Sequence, residues 1–175
     1  MSTNEETIQT AKVLRRGTEE ALKHGLLRLP ARVVVVDGSN VAYAVQTSAG
    51  KPRIELILVI REKLLEYSFI PICLVSANLK YHINNPNLFQ ELLRQEIIIE
   101  SPAGVSDDRF LIAVVREFDS LILTNDLFRD ILAPHDIEWF IQRRIAFKFI
   151  LNTPVLLFPQ TIKINKYETI DISNE

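Results

Sequence analysis

The sequence predicts an α/β fold with a central parallel sheet of about five strands flanked by helices, and three observations support it. Short β-branched apolar runs alternate along the chain with longer segments of helical period, the pattern of strands joined by crossover helices. Val33 to Val36 is an unbroken apolar run, as expected of a central strand covered on both faces. Hydrophobic residues make up 47% of the 175 positions, enough for one continuous core, and neither an internal repeat nor a linker divides the chain.

Taken in order, Thr7 to Leu27 places Ile8, Ala11, Leu14, Ala21, Leu22 and Leu26 at helical spacing among charged residues. This predicts an amphipathic helix within an N-terminal segment 1–30 packed on the domain. Gly17 is a point where it could divide, and Gly25 and Pro30 mark its end. The domain itself is expected over 31–160, with strands at 33–36, 70–75, 97–99, 120–123 and 146–151. Helices are expected at 54–67, 86–95, 107–118, 126–132 and 136–144. Ile54, Ile57, Leu58, Leu64 and Leu65 are the inward positions of the first, and Phe110, Leu111, Val114 and Val115 those of the third. Residues 161–175 read as a strand or extended tail, frayed from Asp171 onward.

Charge and cysteine content narrow the function classes. Lys and Arg total 20 against 22 acids, a net charge of -2 that offers no global attraction to a polyanion. Nucleic-acid contact would therefore need a local basic patch or a bound cation. The single cysteine, Cys73, lies in an apolar run and reads as a small buried residue; the chain can build neither an internal disulfide nor a multi-cysteine zinc site. His24, His82 and His135 do not share metal-ligand spacing and read as surface residues. The N-terminus through Glu6 lacks a signal-type apolar core, and no run of about 18 apolar residues occurs, so a cytoplasmic protein without membrane contact is expected.

In open parallel sheets, ligands bind at the carboxyl ends of the strands, where loops and helix starts converge. The first strand runs into Asp37-Gly38-Ser39-Asn40, the fourth into Thr124-Asn125-Asp126, and the third, after a loop, into Ser106-Asp107-Asp108. Each acid has an ordinary alternative: a turn at Asp37-Gly38, a cap at Ser106 with its following acids, a cap at Asn125 or Asp126. Their coincidence at one end of the sheet favours a shared role. Carboxylates crowded into a crevice repel one another, and a shared proton or a hard divalent cation relieves that cost. Mg²⁺ is the simpler remedy, because it takes oxygen ligands and keeps several waters. Such an ion supports phosphodiester hydrolysis, and the N–H groups of the helix starting near Asp107 could assist anion binding.

Four segments together carry a resemblance. They are Val34-Val35-Val36-Asp37-Gly38-Ser39-Asn40-Val41-Ala42, Asp107-Asp108-Arg109-Phe110, Thr124-Asn125-Asp126-Leu127-Phe128-Arg129-Asp130, and more loosely Glu138-Trp139-Phe140-Ile141 with Arg143-Arg144. In order and spacing they resemble the NYN branch of the PIN-like nucleases, and most closely the regnase-type CCCH zinc-finger ribonucleases, over residues 33 to 159. The resemblance implies a three-layer PIN-like fold and endonucleolytic cleavage of RNA, in single-stranded or loop regions, with Mg²⁺ or Mn²⁺. It implies that Asp37, Asp108 and Asp126 are metal-site carboxylates, with Asp107 and Asp130 as nearby acidic support. Asn40 would hold a metal-bound water or the Asp37 carboxylate, or else make a local turn bond. Ser39, Asn125, Arg109 and Arg129 are the substrate-contact candidates, although Arg129 could instead pair with Asp126 three residues earlier. Lys80, Arg143, Arg144 and Lys148 complete the set of candidate basic contacts.

The chain departs from the resemblance in two places. It has no zinc finger, and its loop Glu100-Ser101-Pro102-Ala103-Gly104-Val105 has no basic residue where the similar enzymes have a longer basic segment. A receiver or a haloacid-dehalogenase-type phosphatase is disfavoured, because serine stands where the second acid after the first strand would be; no P-loop sequence occurs either. Two readings remain beside the ribonuclease: a nuclease for single-stranded DNA, and a non-catalytic RNA-binding or assembly module. For the second, the apolar content leaves room for an oligomer interface such as that of a homodimer.

Overall fold

The apolar run Val33–Val36 and the acid that follows it form β1 (Val33–Asp37), all of it buried. In the computed structural model, residues 33–160 and 162 are described. The helix expected within 1–30, with His24, and the tail at 161–175 apart from Ile162 lie outside the described residues.

After β1 come α1 (Gly38–Tyr43), α2 (Glu55–Glu66), β2 (Ile70–Val75), α3 (Pro86–Arg94), β3 (Ile98–Glu100), α4 (Asp107–Phe118), β4 (Leu121–Leu123), α5 (Ile137–Ile141), β5 (Arg144–Ile150) and β6 (Thr153–Leu157). Two 3-10 turns, Leu79–Tyr81 and Pro134–Asp136, punctuate the loops. The six strands lie in the order β3-β2-β1-β4-β5-β6. β1 to β5 are mutually parallel, and β6 runs antiparallel to β5.

Side-chain alternation along the strands divides the core between two faces. Val34, Val36, Cys73, Val75, Leu121 and Leu123 pack with residues of α2 and α3. Val35, Leu74 and Ile122 pack on the other face with residues of α4 and α5. The result is three layers, helix on sheet on helix. Each fully buried Ile or Phe adds roughly 1.5–3 kcal/mol by leaving water, which is what holds the layers together. Among the described residues, no helix is long and apolar enough to cross a membrane.

Two helix expectations are corrected. The helix expected at 126–132 is not formed: Asp126 Oδ1 accepts the N–H of Phe128 at 2.8 Å, and Phe128 adopts a left-handed φ of 46°. A side chain that captures a nearby backbone N–H diverts the chain from the helical ladder. The helix expected at 136–144 closes at Ile141, because Arg144 is already paired with Ile122 as the first residue of β5. The expected parallel sheet of about five strands is present as β1 to β5, and Leu151 and Asn152, both at positive φ, turn the chain back to add β6 antiparallel to its edge.

The connectivity positions the site. From β1 the chain proceeds to β2 on one side, and from β4 it proceeds to β5 on the other. Their carboxyl ends therefore flank a crevice at the point where the winding reverses. Gly38 lets α1 turn close above β2: a Cβ there would stand 2.7 Å from Val75 Cγ1 and 2.8 Å from Leu74 O.

Candidate active site

Asp37 ends β1 and shares the face of Val35, two residues earlier, which is the face covered by α4. It is 7% exposed. Its Oδ1 accepts the backbone N–H of Asn40 at 3.0 Å, capping α1, and its Oδ2 accepts the Thr124 hydroxyl at 2.9 Å. Thr124 in turn accepts the N–H of Asp126 on the same oxygen at 3.1 Å. One hydroxyl thus links the ends of β1 and β4.

Asp107 and Asp108 open α4, with Ser106 as the cap whose oxygen accepts from Arg109 N. Asp107 Oδ1 accepts the hydroxyl of Ser101, a buried residue just past β3 whose own N–H is bound to Val75 O. Asp108 is left facing Asp37 and Asp126. Burial pushes Asp37 from an ordinary 3.8 up to about 6; the Asn40 and Thr124 donors oppose that rise, and the charges of Asp108 and Asp126 add to it. Asp108 is raised in turn by burial, then by Asp126 and Asp107. Burial disfavours the charged form of both acids, and the like charges beside them add to the rise. Among the interactions that shift these two acids no cation takes part.

A cavity of about 110 Å³ lies beside them, lined by Asp37, Ser39, Ser76, Ser101, Asp107 and Asp108 over an apolar floor. That is room for about three or four waters. Among the described residues, no group of three His, Cys, Asp or Glu side chains is arranged to hold a metal ion directly. The hard oxygen donors and their uncompensated repulsion suit Mg²⁺ or Mn²⁺ all the same, because Mg²⁺ keeps most of its water and needs only one or two direct carboxylates.

The other candidate residues are placed as follows. Asn40 donates its backbone N–H to Asp37, and its side-chain Oδ1 accepts the N–H of Asn125 at 2.9 Å. Asn125 uses its side chain on Phe147, donating to the carbonyl and accepting from the N–H, each at 3.0 Å. Ser39 lines the cavity, and its Oγ accepts the N–H of Ser76 at 2.9 Å. Arg109 and Arg129 are exposed, and Arg129 does not pair with Asp126, whose carboxylate is turned to Phe128. Asp130 is exposed in the following turn and takes no part in the interactions that shift Asp37 and Asp108. Arg144 donates to Thr124 O at 3.2 Å from beneath the site, while Arg143 pairs with Asp119 and Lys80 with Glu100. Lys148 is exposed on β5.

Sequence reasoning passed over Thr124 and Ser101 as site residues. Thr124 had a signal, a hydroxyl two positions before an acid at a strand end. Ser101 had none, because its link to Asp107 depends on the path of the loop between them. Cys73 is buried, and burial pushes its thiol up to about 12, so it is inert at neutral pH.

The profile described as Zc3h12a-like Ribonuclease NYN domain matches residues 30–162. No curated protein matches the chain. Among solved structures it is similar to nuclear protein-only RNase P 2 of Arabidopsis thaliana. One structure of that protein has a TM-score of 0.60 at 17% identity, covering 91% of this chain and 38% of the other. A second has 0.61 at 19%, covering 91% and 37%. The likeness is one of fold, and this chain spans under two fifths of the length of that protein.

Proposed function

The chain belongs to the Zc3h12a-like ribonuclease NYN domain family, and on that premise we propose that it is an endoribonuclease that hydrolyses RNA phosphodiester bonds with a Mg²⁺ or Mn²⁺ ion bound among Asp37, Asp108 and Asp126, by one or two of them directly and by the rest through its waters. One observation carries the metal-site reading. At the switch point of the sheet, burial pushes Asp37 up to about 6, and the neighbouring charges of Asp108 and Asp126 add to that rise while no cation offsets it. When bound there, a divalent ion supplies charge neutralisation for the phosphate and a lowered pKa for a coordinated water.

The protein's own groups do the positioning. Asn40 N–H and the Thr124 hydroxyl each occupy one lone pair of Asp37, fixing the plane of the carboxylate. Asp107 is fixed by the Ser101 hydroxyl, and both line the cavity beside Asp37. Asp108, partly exposed at the start of its helix, would share the charge of the bound ion with Asp37. Arg109 and Arg129 are the free cations on the rim that would meet the phosphate backbone.

A non-catalytic RNA-binding or assembly module is the second reading, supported by the lack of a direct three-residue metal group among the described residues. The deciding experiment compares matched RNA and DNA oligonucleotides with the wild-type protein and with Asp37→Asn, in Mg²⁺ and in chelator. RNA cleaved only in Mg²⁺ by the wild type supports the proposal. Cleavage of DNA alone would move the activity to single-stranded DNA, and no cleavage of either would leave the module.

A further inference from the structure

Tyr81 is 74% exposed, the most exposed aromatic ring among the described residues. An exposed ring on a protein surface is unremarkable by itself. Its position is what matters here. Tyr81 closes the 3-10 turn Leu79–Tyr81, which follows β2 at the carboxyl end of the sheet, the same end as the acid crevice.

The turn is held firmly on that rim. Leu79 is 2% exposed and anchors it in the core. Leu79 N–H is bound to Ser76 O at 3.0 Å and Tyr81 N–H to Asn78 O at 3.1 Å. Ser76 lines the cavity beside Asp37 and is bound through its N–H to Ser39. On the other side, Lys80 Nζ lies 3.2 Å from Glu100 Oε1 and 5.5 Å from the centre of the Tyr81 ring. Glu100 ends β3 and precedes Ser101, which holds Asp107. These contacts fix the turn beside residues that line the cavity, and the Lys80 ammonium lies over the ring.

We propose that Tyr81 is a stacking platform for an unpaired base of a single-stranded RNA whose backbone enters the acid crevice. This rests on the ribonuclease reading and deepens it by naming a residue that would contact a base of the substrate. A base can stack on an aromatic ring only when it is splayed out of a helix, which duplex RNA does not permit. A preorganised ring loses little freedom on stacking, and a cation on its far face strengthens the sandwich. The charge of Lys80 is offset by Glu100, so the contribution of Tyr81 should not depend on salt. In a chain of net charge -2, such a contact supplies affinity that electrostatics does not.

The test measures binding by fluorescence anisotropy in Mg²⁺, in an Asp37→Asn background so that RNA stays intact. The probes are a labelled U-rich single strand and a labelled RNA duplex. Tyr81→Ala should weaken single-strand binding by roughly 5- to 150-fold, the range of base–aromatic stacking. Tyr81→Phe should bind as the parent does, duplex affinity should be unchanged, and the slope of affinity against salt should stay the same. Unchanged single-strand affinity in Tyr81→Ala overturns the platform. So does a loss in Tyr81→Phe as large as in Tyr81→Ala, or an equal loss for duplex. If neither probe binds the parent, the platform is overturned and the ring is left for a protein contact. Wild-type cleavage of RNA, scored separately, keeps the two ideas apart: cleavage with Tyr81→Ala affinity unchanged sinks the platform alone. Tyr81-dependent binding without cleavage sinks the ribonuclease reading alone.

Discussion

The hydroxyl of Thr124 donates to Asp37 Oδ2 at 2.9 Å, across 87 residues of sequence, and this bond fastens the end of β4 to the end of β1. It is buried, and its acceptor is the acid most perturbed by its surroundings among the described carboxylates. Thr124 is thus a positioning residue for the acidic site.

Thr124→Val keeps the shape of the side chain and removes that donor. Losing a hydrogen bond to a charged group amounts to about 1.5–3 kcal/mol, so RNA cleavage should fall about tenfold or more. The acid limb of the pH–rate profile should move to higher pH, because the lost donor had held the pKa of Asp37 down. Thr124→Ser should keep wild-type rate and profile. A Val variant indistinguishable from the Ser variant would remove Thr124 from the site.

Asp37 also makes a prediction about stability. Its folded pKa of about 6 lies above its ordinary 3.8, so between these values the native state holds a proton that the unfolded chain has released. Its contribution to stability is fully present below pH ~4, falls as pH rises toward ~6 and is flat above, because the unfolded state binds fewer protons there. Between 3.8 and about 6 the fall is on the order of 3 kcal/mol. Urea midpoints of metal-free wild type and Asp37→Asn, taken from pH 4 to 8, should diverge across that window in favour of Asn. A difference that stays constant with pH would show that the pKa of Asp37 is not raised.

Gly38→Ala should be destabilising although the residue is helical. The new methyl would meet Leu74 O at 2.8 Å, and a backbone oxygen cannot move aside. Overpacking of this kind costs about 1–3 kcal/mol. The chemical-denaturation midpoint should drop with an unchanged slope, and activity should fall with it, since α1 carries the Asn40 N–H that holds Asp37. An Ala variant as stable as wild type would mean that α1 does not pack this closely on β2.

Asn125 separates a structural role from a binding role. Its side chain serves the backbone of Phe147 with two bonds, so Asn125→Ala should lower stability by about 1–2 kcal/mol through the unpaired groups it leaves. KM for RNA, measured well below the melting temperature, should stay at the wild-type value. A rise in KM without loss of stability would return Asn125 to the substrate contacts.

Much of the fold was legible because its elements announce themselves locally. Val33–Val36 reads as a buried strand by apolarity alone, and Asp107–Phe118 reads as a helix at both ends because Ser106 caps it and its apolar residues recur at helical spacing. The segment after Asp126 was misread for an equally physical reason. Leu127, Phe128, Ile131 and Leu132 have helical spacing, but the Asp126 carboxylate takes the Phe128 N–H, and Phe128 turns inward to pack edge-on against Phe140 at 5.4 Å. The last hairpin was missed because Leu151 is an unusual residue for a left-handed turn position.

What the sequence determined by itself is the identity of the acids and the strand ends that carry them. Asp37, Asp108 and Asp126 follow from apolar periodicity, capping residues and motif order, all of which are local. What only the tertiary structure decided is how each side chain is used. Thr124 and Ser101 bond the carboxylates of Asp37 and Asp107, Asn125 went to the backbone of Phe147, and Asp130 is exposed in the turn after Asp126. Those outcomes depend on which strand ends lie side by side and how loops cross between them. Hydrogen bonds and charge repulsion act over a few ångströms of space, and sequence separation does not report that distance.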